Sequence, residues 1–280
     1  MDRTDYRGIF VIVTTPFTDD FRLDEAALER TLDFCLAAGV HGVVANALAS
    51  EGFYLSEAER RRAAEIVVNK AKGKVPVIVA VSAPHYHLAV EFARHAELIG
   101  AATSLPLVIQ NVSGQGASPL SAGLIAELVR DIPTARFVKE ESGYPAQTVG
   151  EIIRLCGDKL EGVMGGKAGK TLMEEVRHGV SGTMPACEIA DVHVALWNAI
   201  EAKDDKRARN IFQRLLPLLD MESNYGMPLM KEVLKARGVI PSNAVRQSGF
   251  RALDDAARAE AAAIMDDLAD LMLPAYTHRR

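Results

Sequence analysis

The sequence predicts an α/β fold, a (β/α)8 TIM barrel with a C-terminal helical extension, on three observations. Short β-branched apolar runs alternate with segments of helical period, a pattern that calls for a parallel sheet with right-handed crossovers. The runs are apolar at successive positions, as in strands buried on both faces. At 280 residues the chain is long enough for one such barrel. The expected division is a barrel domain over 1–221 and a helical region over 222–280.

The elements follow in order. Gly8-Ile-Phe-Val-Ile-Val13 is a continuous apolar strand that Pro16 stops. Asp24 then opens a helix at an N-cap position, and Gly39 closes it at C′. The unit repeats with a strand over His41 to Asn46, a capped start at Leu55-Ser-Glu-Ala-Glu59, and a helix from Arg60 to Lys72. Val75 to Val81 is the third strand, and Leu88 to Ile99 the third helix. Leu105 to Gln110, Phe137 to Lys139, Gly162 to Met164 and Gly182 to Met184 are further strands. From Glu188 onward the pattern is helical over Ala190 to Ala202, Asp204 to Leu219, Met227 to Arg237 and Leu253 to Met272. Pro217, Gly226, Gly238 and Pro241 are expected to break it.

One unit is absent from this series. The third helix ends at Gly100, and after Ala102-Thr103 the next strand begins almost at once, so the fourth strand and its helix, about thirty residues, are lacking. Either the chain has lost the unit or a segment is missing from the sequence. The cost of opening a barrel core favours the second.

Composition narrows the partners. The chain is 49% hydrophobic and 25% charged, with a net charge of -5 and no apolar run long enough to span a bilayer. Small molecules are expected as partners, with no nucleic acid and no membrane. Met1 to Tyr6 lacks the charged-then-apolar pattern of a signal segment, so a cytoplasmic location is expected. Cys35, Cys156 and Cys187 fall in no metal-ligand spacing and are expected to be buried thiols, with no metal site.

The chemistry centres on Arg136-Phe-Val-Lys-Glu-Glu-Ser142, where Lys139 ends an apolar run. A lysine pointing into an apolar lumen loses solvation, which lowers its pKa and frees a neutral amine to attack a ketone. An edge-strand lysine facing solvent is the bland alternative. Glu140 and Glu141 flank it, and strand alternation gives one of them the lumen and the other the helix side. The sequence leaves open which.

Four stretches resemble the dihydrodipicolinate synthase / N-acetylneuraminate lyase family of Schiff-base aldolases and dehydratases. They are Gly8 to Phe17, Ser50-Glu51 with Leu55 to Arg60, Gln110-Asn-Val112, and Val138-Lys-Glu140. The resemblance implies that Lys139 forms a covalent imine with a 2-keto acid, that no cofactor is needed, and that the chain forms a homo-oligomer, a tetramer or dimer. Two departures stand out. Ala47-Leu-Ala-Ser-Glu51 replaces the family's Gly-Thr-Thr-Gly-Glu, and Gln110 replaces its catalytic tyrosine. An amide cannot titrate, so Gln110 can only position a water or a hydroxyl. The exchange is similar to the 2-keto-3-deoxyarabonate dehydratase branch, as are Gly226 to Lys231 and Gly238-Val-Ile240.

The expected catalytic set is therefore Lys139, Gln110 and Glu51, with Glu51 equally readable as a helix-terminal carboxylate. Ser50, Ala49, Thr15, Asn111, Gly165, Gly166 and Met184 are expected to contact substrate. His85-Tyr86-His87 offers a replacement acid or base, although loop histidines more often face solvent. Gly165 to Thr171 approaches a phosphate loop, but the position reserved for its first glycine is Met164. A dehydratase is expected ahead of a pyruvate-dependent aldolase or a dihydrodipicolinate synthase-type enzyme, and a non-catalytic sugar-acid-binding barrel is the rival of another class.

Overall fold

The computed structural model describes residues 6–82, 86–100, 105–113 and 119–277. Their strands are β1 (Gly8–Ile12), β2 (Gly42–Ala45), β3 (Val77–Val79), β4 (Leu107–Val112), β5 (Ala135–Glu141), β6 (Gly162–Gly165) and β7 (Gly182–Thr183). All pair in parallel in one sheet of order β3-β2-β1-β7-β6-β5-β4. The helices are α1 (Glu25–Ala37), α2 (Glu57–Ala71), α3 (Tyr86–Gly100), α4 (Ala122–Asp131), α5 (Pro145–Cys156), α6 (Leu172–Glu175), α7 (Ala190–Glu201), α8 (Asp205–Tyr225), α9 (Met227–Ala236) and α10 (Asp255–Asp267).

Local chemistry sets the helix ends. The Asp24 side chain accepts from Ala27 N at the start of α1, and Ser56 and Glu59 form a reciprocal capping box at the start of α2. Each such cap is worth about 1 kcal/mol. Gly39, at φ 75°, turns the chain out of α1 toward β2 in the left-handed region that favours glycine.

The sheet is curled. Phe10, Ile12, Val44, Met164 and Met184 share one apolar cluster with Tyr6, Ile78 and Val108. Ile78 and Val108 lie on β3 and β4, the two ends of the sheet order, so a flat sheet cannot bring them to one cluster. The outward residues Val11, Val43, Val138 and Val163 pack instead into the larger core beneath the helices. Tyr6 plugs the bottom of the lumen, its ring 5.7 Å from Phe10 and 4.7 Å from Phe137.

Among the described residues seven strands stand where the expected barrel has eight, as the absent fourth unit predicts. No strand closes the wall between β3 and β4 among the described residues. All three residues of β3 are half-buried, and Leu107 and Gln110 of β4 are exposed, whereas β1 is buried throughout.

Two expectations about local structure are corrected. Pro217 does not break the helix that contains it, because α8 packs Leu215, Leu218 and Leu219 into the core on either side of it. The helix ends instead at Gly226, and residue 221, the expected domain boundary, lies inside it. Strand β5 also runs two residues past Lys139, paired with β4 through Val112↔Glu141.

Two buried charged features bear on stability. Arg237, the C-cap residue of α9, donates to Asp191 of α7 (Nη2 to Oδ2, 2.5 Å), to Glu188 O at 2.7 Å and to Tyr276 O at 2.9 Å. Asp191 Oδ2 also accepts from Leu273 N at 2.7 Å, so one ion pair ties α7, α9 and the C-terminal segment together. Glu175 of α6 is fully buried behind β6 and accepts a hydrogen bond from Thr171 Oγ1 at 2.8 Å. Burial, together with the charges of Glu140 and Glu141, pushes its carboxyl up to about 7.

Removing one partner strands the other charge, so Asp191→Ala should lose about 3–5 kcal/mol in urea unfolding; a loss below about 1 kcal/mol would contradict that role for the pair. Glu175 ionises near 4.5 when unfolded and near 7 when folded. Its contribution is therefore fully present below pH 4.5 and is lost as pH rises to 7, at about 1.4 kcal/mol per pH unit. Glu175→Gln should thus raise the urea midpoint at pH 8, with a gain that shrinks toward pH 5. An equal gain at both pH values would show that Glu175 does not titrate in this window.

Candidate active site

The period of β5 decides the site. Phe137, Lys139 and Glu141 project to one face, Val138 and Glu140 to the other. Val138 is buried in the outer core. Glu140 is also buried there, accepting from Asn111 Nδ2 and from Ser142 N, both at 2.7 Å. Glu141 is therefore the carboxylate that shares the lumen with the lysine. Lys139 Nζ lies 2.5 Å from Glu141 Oε2, and both side chains are largely buried.

Gln110 lies beside Lys139 in the strand register, and its Nε2 donates to Glu141 Oε2 at 2.9 Å. Burial raises the Glu141 pKa, but the charge and hydrogen bond of Lys139 and the Gln110 amide outweigh it and hold the group below its ordinary range. Gly166 makes room for this carboxylate, since a Cβ there would stand 2.6 Å from Glu141 Cδ. Met184 is buried in the lumen and lines the same cavity as Lys139 and Gln110. That cavity has a volume of about 480 Å³.

Three expected site residues serve other ends. Asn111 points away from the lumen, as alternation from Gln110 requires, and clasps Leu120 through both its N–H and C=O besides holding Glu140. Gly165 faces Glu175, whose carboxylate occupies the space of a side chain at that position. Glu51 is fully buried and committed elsewhere. Its Oε1 is 2.5 Å from Lys231 Nζ, and its Oε2 accepts from Arg246 N at 2.7 Å and Gln247 N at 2.6 Å. Lys231 in turn donates to Ala244 O at 2.6 Å and sits 4.1 Å from the centre of the Phe17 ring. Burial lowers the Lys231 ammonium to about 8. This pair fastens the chain around 244–247 to the loop after β2, and Glu51 makes that turn at φ 52°.

Ser50 and Thr15 are buried and Ala49 is half-buried. The Ser50 hydroxyl has no hydrogen-bond partner among the described residues, which suits a group that awaits a ligand. His85 lies outside the described residues. In the phosphate-loop-like stretch, Lys167 Nζ donates to Ser142 O at 2.6 Å, and Lys170 turns outward to Asp220 and Ser223. Neither lysine is left facing an empty anion site. Among the described residues no group of three His, Cys, Asp or Glu side chains is placed to hold a metal, and no helix is long and apolar enough to cross a membrane.

Glu141 is the residue that sequence reasoning left unassigned. The signal was available in the period of two, since a lumenal Lys139 fixes residue 141 on the same face if the strand continues. The expected strand end at Lys139 hid it.

Comparison with known proteins agrees with this geometry. The chain matches the Dihydrodipicolinate synthetase family over residues 5–103 and 90–267, two stretches that overlap just before the place where the fourth unit is absent. It is 31% identical to an L-2-keto-3-deoxyarabonate dehydratase from Azospirillum brasilense, covering 96% of each chain. It is 30% identical to a 4-hydroxy-tetrahydrodipicolinate synthase from Methanopyrus kandleri over 75% of this chain and 79% of that one. Among solved structures, a dihydrodipicolinate synthase from Rhodopseudomonas palustris superposes with a TM-score of 0.86 at 25% identity, covering 94% of this chain and 98% of that one. With a lysine and a carboxylate facing each other in the lumen of such a sheet, and with matches of this extent, the chain belongs to the dihydrodipicolinate synthetase family.

Proposed function

We propose that the chain is a Schiff-base-forming lyase that dehydrates a 2-keto-3-deoxy acid, with a 2-keto-3-deoxy sugar acid as the first compound to test. The observation that carries this reading is the 2.5 Å contact between Lys139 Nζ and Glu141 Oε2 inside the lumen. The similarity to an L-2-keto-3-deoxyarabonate dehydratase supports the choice of substrate.

In the proposed reaction, Lys139 gives a proton to Glu141 and adds as a neutral amine to the C2 ketone, whose oxygen leaves as water. The resulting protonated imine draws electrons from C3. Glu141, once more a carboxylate, takes the C3 proton. The C4 hydroxyl then departs with a proton as water, and hydrolysis of the unsaturated imine restores Lys139. Gln110 holds the Glu141 carboxylate in place and never itself titrates. The unpartnered Ser50 hydroxyl is the proposed contact for the substrate carboxylate.

A pyruvate-releasing aldolase of the same family is the second reading, favoured by the similarity to a 4-hydroxy-tetrahydrodipicolinate synthase. An aldolase must deprotonate the C4 hydroxyl, whereas a dehydratase must deprotonate C3. A carboxylate beside the imine nitrogen is better placed for C3, two bonds from that nitrogen.

Incubation with a 2-keto-3-deoxy pentonate and borohydride should add the reduced ligand mass at Lys139, and absence of that adduct would sink the Schiff-base reading. The same compound assayed for water loss and for pyruvate release separates the two lyase readings, with water loss expected. Glu141→Gln should lower turnover by about 10²–10⁴-fold while the borohydride adduct at Lys139 persists, the signature of a lost acid–base group. Turnover within a few fold of the parent would remove Glu141 from the mechanism.

A further inference from the structure

The cavity that holds Lys139 is larger and more apolar at its far end than a short, hydroxylated keto acid requires. Its polar lining side chains are Tyr6, Ser82, Gln110 and Lys139. Tyr6 belongs to the plug at the bottom, which closes the lumen in that direction. From the Lys139 end the cavity runs instead sideways, through the wall between β3 and β4, past Val79 and Val108, to Val68 of α2 and Ala93 of α3.

In a closed barrel the fourth strand would fill this space, and here no strand bridges β3 to β4 among the described residues. The opening is continuous with the reactive amine, and a volume of about 480 Å³ falls within the range that encloses a drug-sized ligand. The hydroxyls of a sugar-acid tail would find no side-chain partners among the valines and alanines of its far end. An alkyl or aryl tail would bury its surface there.

We propose that this lateral slot binds the apolar tail of a 2-keto acid, so that 2-keto acids with alkyl or aryl tails are a further ligand and substrate class of the site. The proposal rests on the reading of Lys139 as the imine-forming amine. The carboxylate and ketone stay at the polar end beside Lys139, Glu141 and Gln110, and the tail lies between β3 and β4 toward α2 and α3. Lys139 Nζ bonds to C2, the carbonyl oxygen leaves as water carrying the two protons it gains, and the C=N bond replaces C=O. Borohydride then delivers hydride to C2 and leaves a stable secondary amine.

The test is the concentration at which each acid half-labels Lys139 in the presence of borohydride, read by peptide mass. Pyruvate, 2-oxooctanoate and 4-phenyl-2-oxobutanoate are the probes. Each methylene moved from water into the slot should tighten binding roughly fourfold. The two tailed acids should therefore half-label Lys139 at concentrations at least about 50-fold below that of pyruvate. Ala93→Phe or Val68→Phe, which fill the far end, should bring this ratio close to one. If pyruvate labels Lys139 and the tailed acids do no better, the slot is not a tail site and the lyase reading stands. A ratio that neither substitution changes also overturns the slot. If no acid labels Lys139, the Schiff-base reading itself fails.

Discussion

A strand buried on both faces has no neutral side, and this constraint governs the site. On β5 one face must satisfy the lumen and the other the helix layer, so two adjacent glutamates receive opposite tasks. Glu140 joins a hydrogen-bonded clasp with Asn111 and Ser142 that fixes β5 to β4 and to the loop before α4. Glu141 meets Lys139. Neither assignment can be exchanged without rotating the whole strand, which would also expel Val138 from the core.

The departure at Gln110 makes sense when seen from Glu141. A glutamine at position 110 donates to the carboxylate, and a glycine at 166 leaves space for it. In the proposed reaction these two residues set the orientation of the acid, and the proton chemistry that the amide cannot perform falls to the neighbouring strand. In the loop after β2, Glu51 serves structure while the neighbouring Ser50 hydroxyl stays unpartnered. Glu51 is held by Lys231 and by two backbone N–H groups from the C-terminal region, so the tail helices are fastened to the barrel through a fully buried ion pair. Lys231, in the Gly226 to Lys231 stretch that resembles the 2-keto-3-deoxyarabonate dehydratase branch, arrives from α9 to meet the carboxylate.

Much of this was legible in the sequence because periodicity and caps are local signals. Apolar runs located all seven strands, and Asp24 and Ser56 marked the helix starts where their side chains now cap. Lys139 was singled out by its place at the end of such a run, with a solvent-facing lysine as the alternative until the family resemblance was added. What escaped depends on long-range contacts. Nothing near Glu51 indicates a lysine 180 residues away, and nothing around Pro217 reveals that the core holds the flanking leucines. Asn111 was misread because its motif neighbour Gln110 faces the site, and adjacent strand residues cannot both do so. Gly165 was read as a place for substrate, whereas its space belongs to Glu175, which lies ten residues away on another element.

The open wall changes the energetics of the candidate site as well as its shape. A closed barrel surrounds its lumenal charges with protein on every side, and a gap between β3 and β4 admits water to one side of Gln110, which is exposed. Yet Lys139 and Glu141 lie on β5, one strand in from the gap, and stay largely buried. The order of strands thus places a screening strand between solvent and the ion pair. β4 bears the exposure, its edge residues Leu107 and Gln110 standing open, while β5 keeps the low-dielectric surroundings in which a lysine and a carboxylate 2.5 Å apart interact strongly. Without the fourth unit the Lys139–Glu141 pair stays covered, because the gap falls beside β4 and both neighbours of β5 are in place. The absence of the fifth or seventh unit of the family barrel would have bared β5 itself.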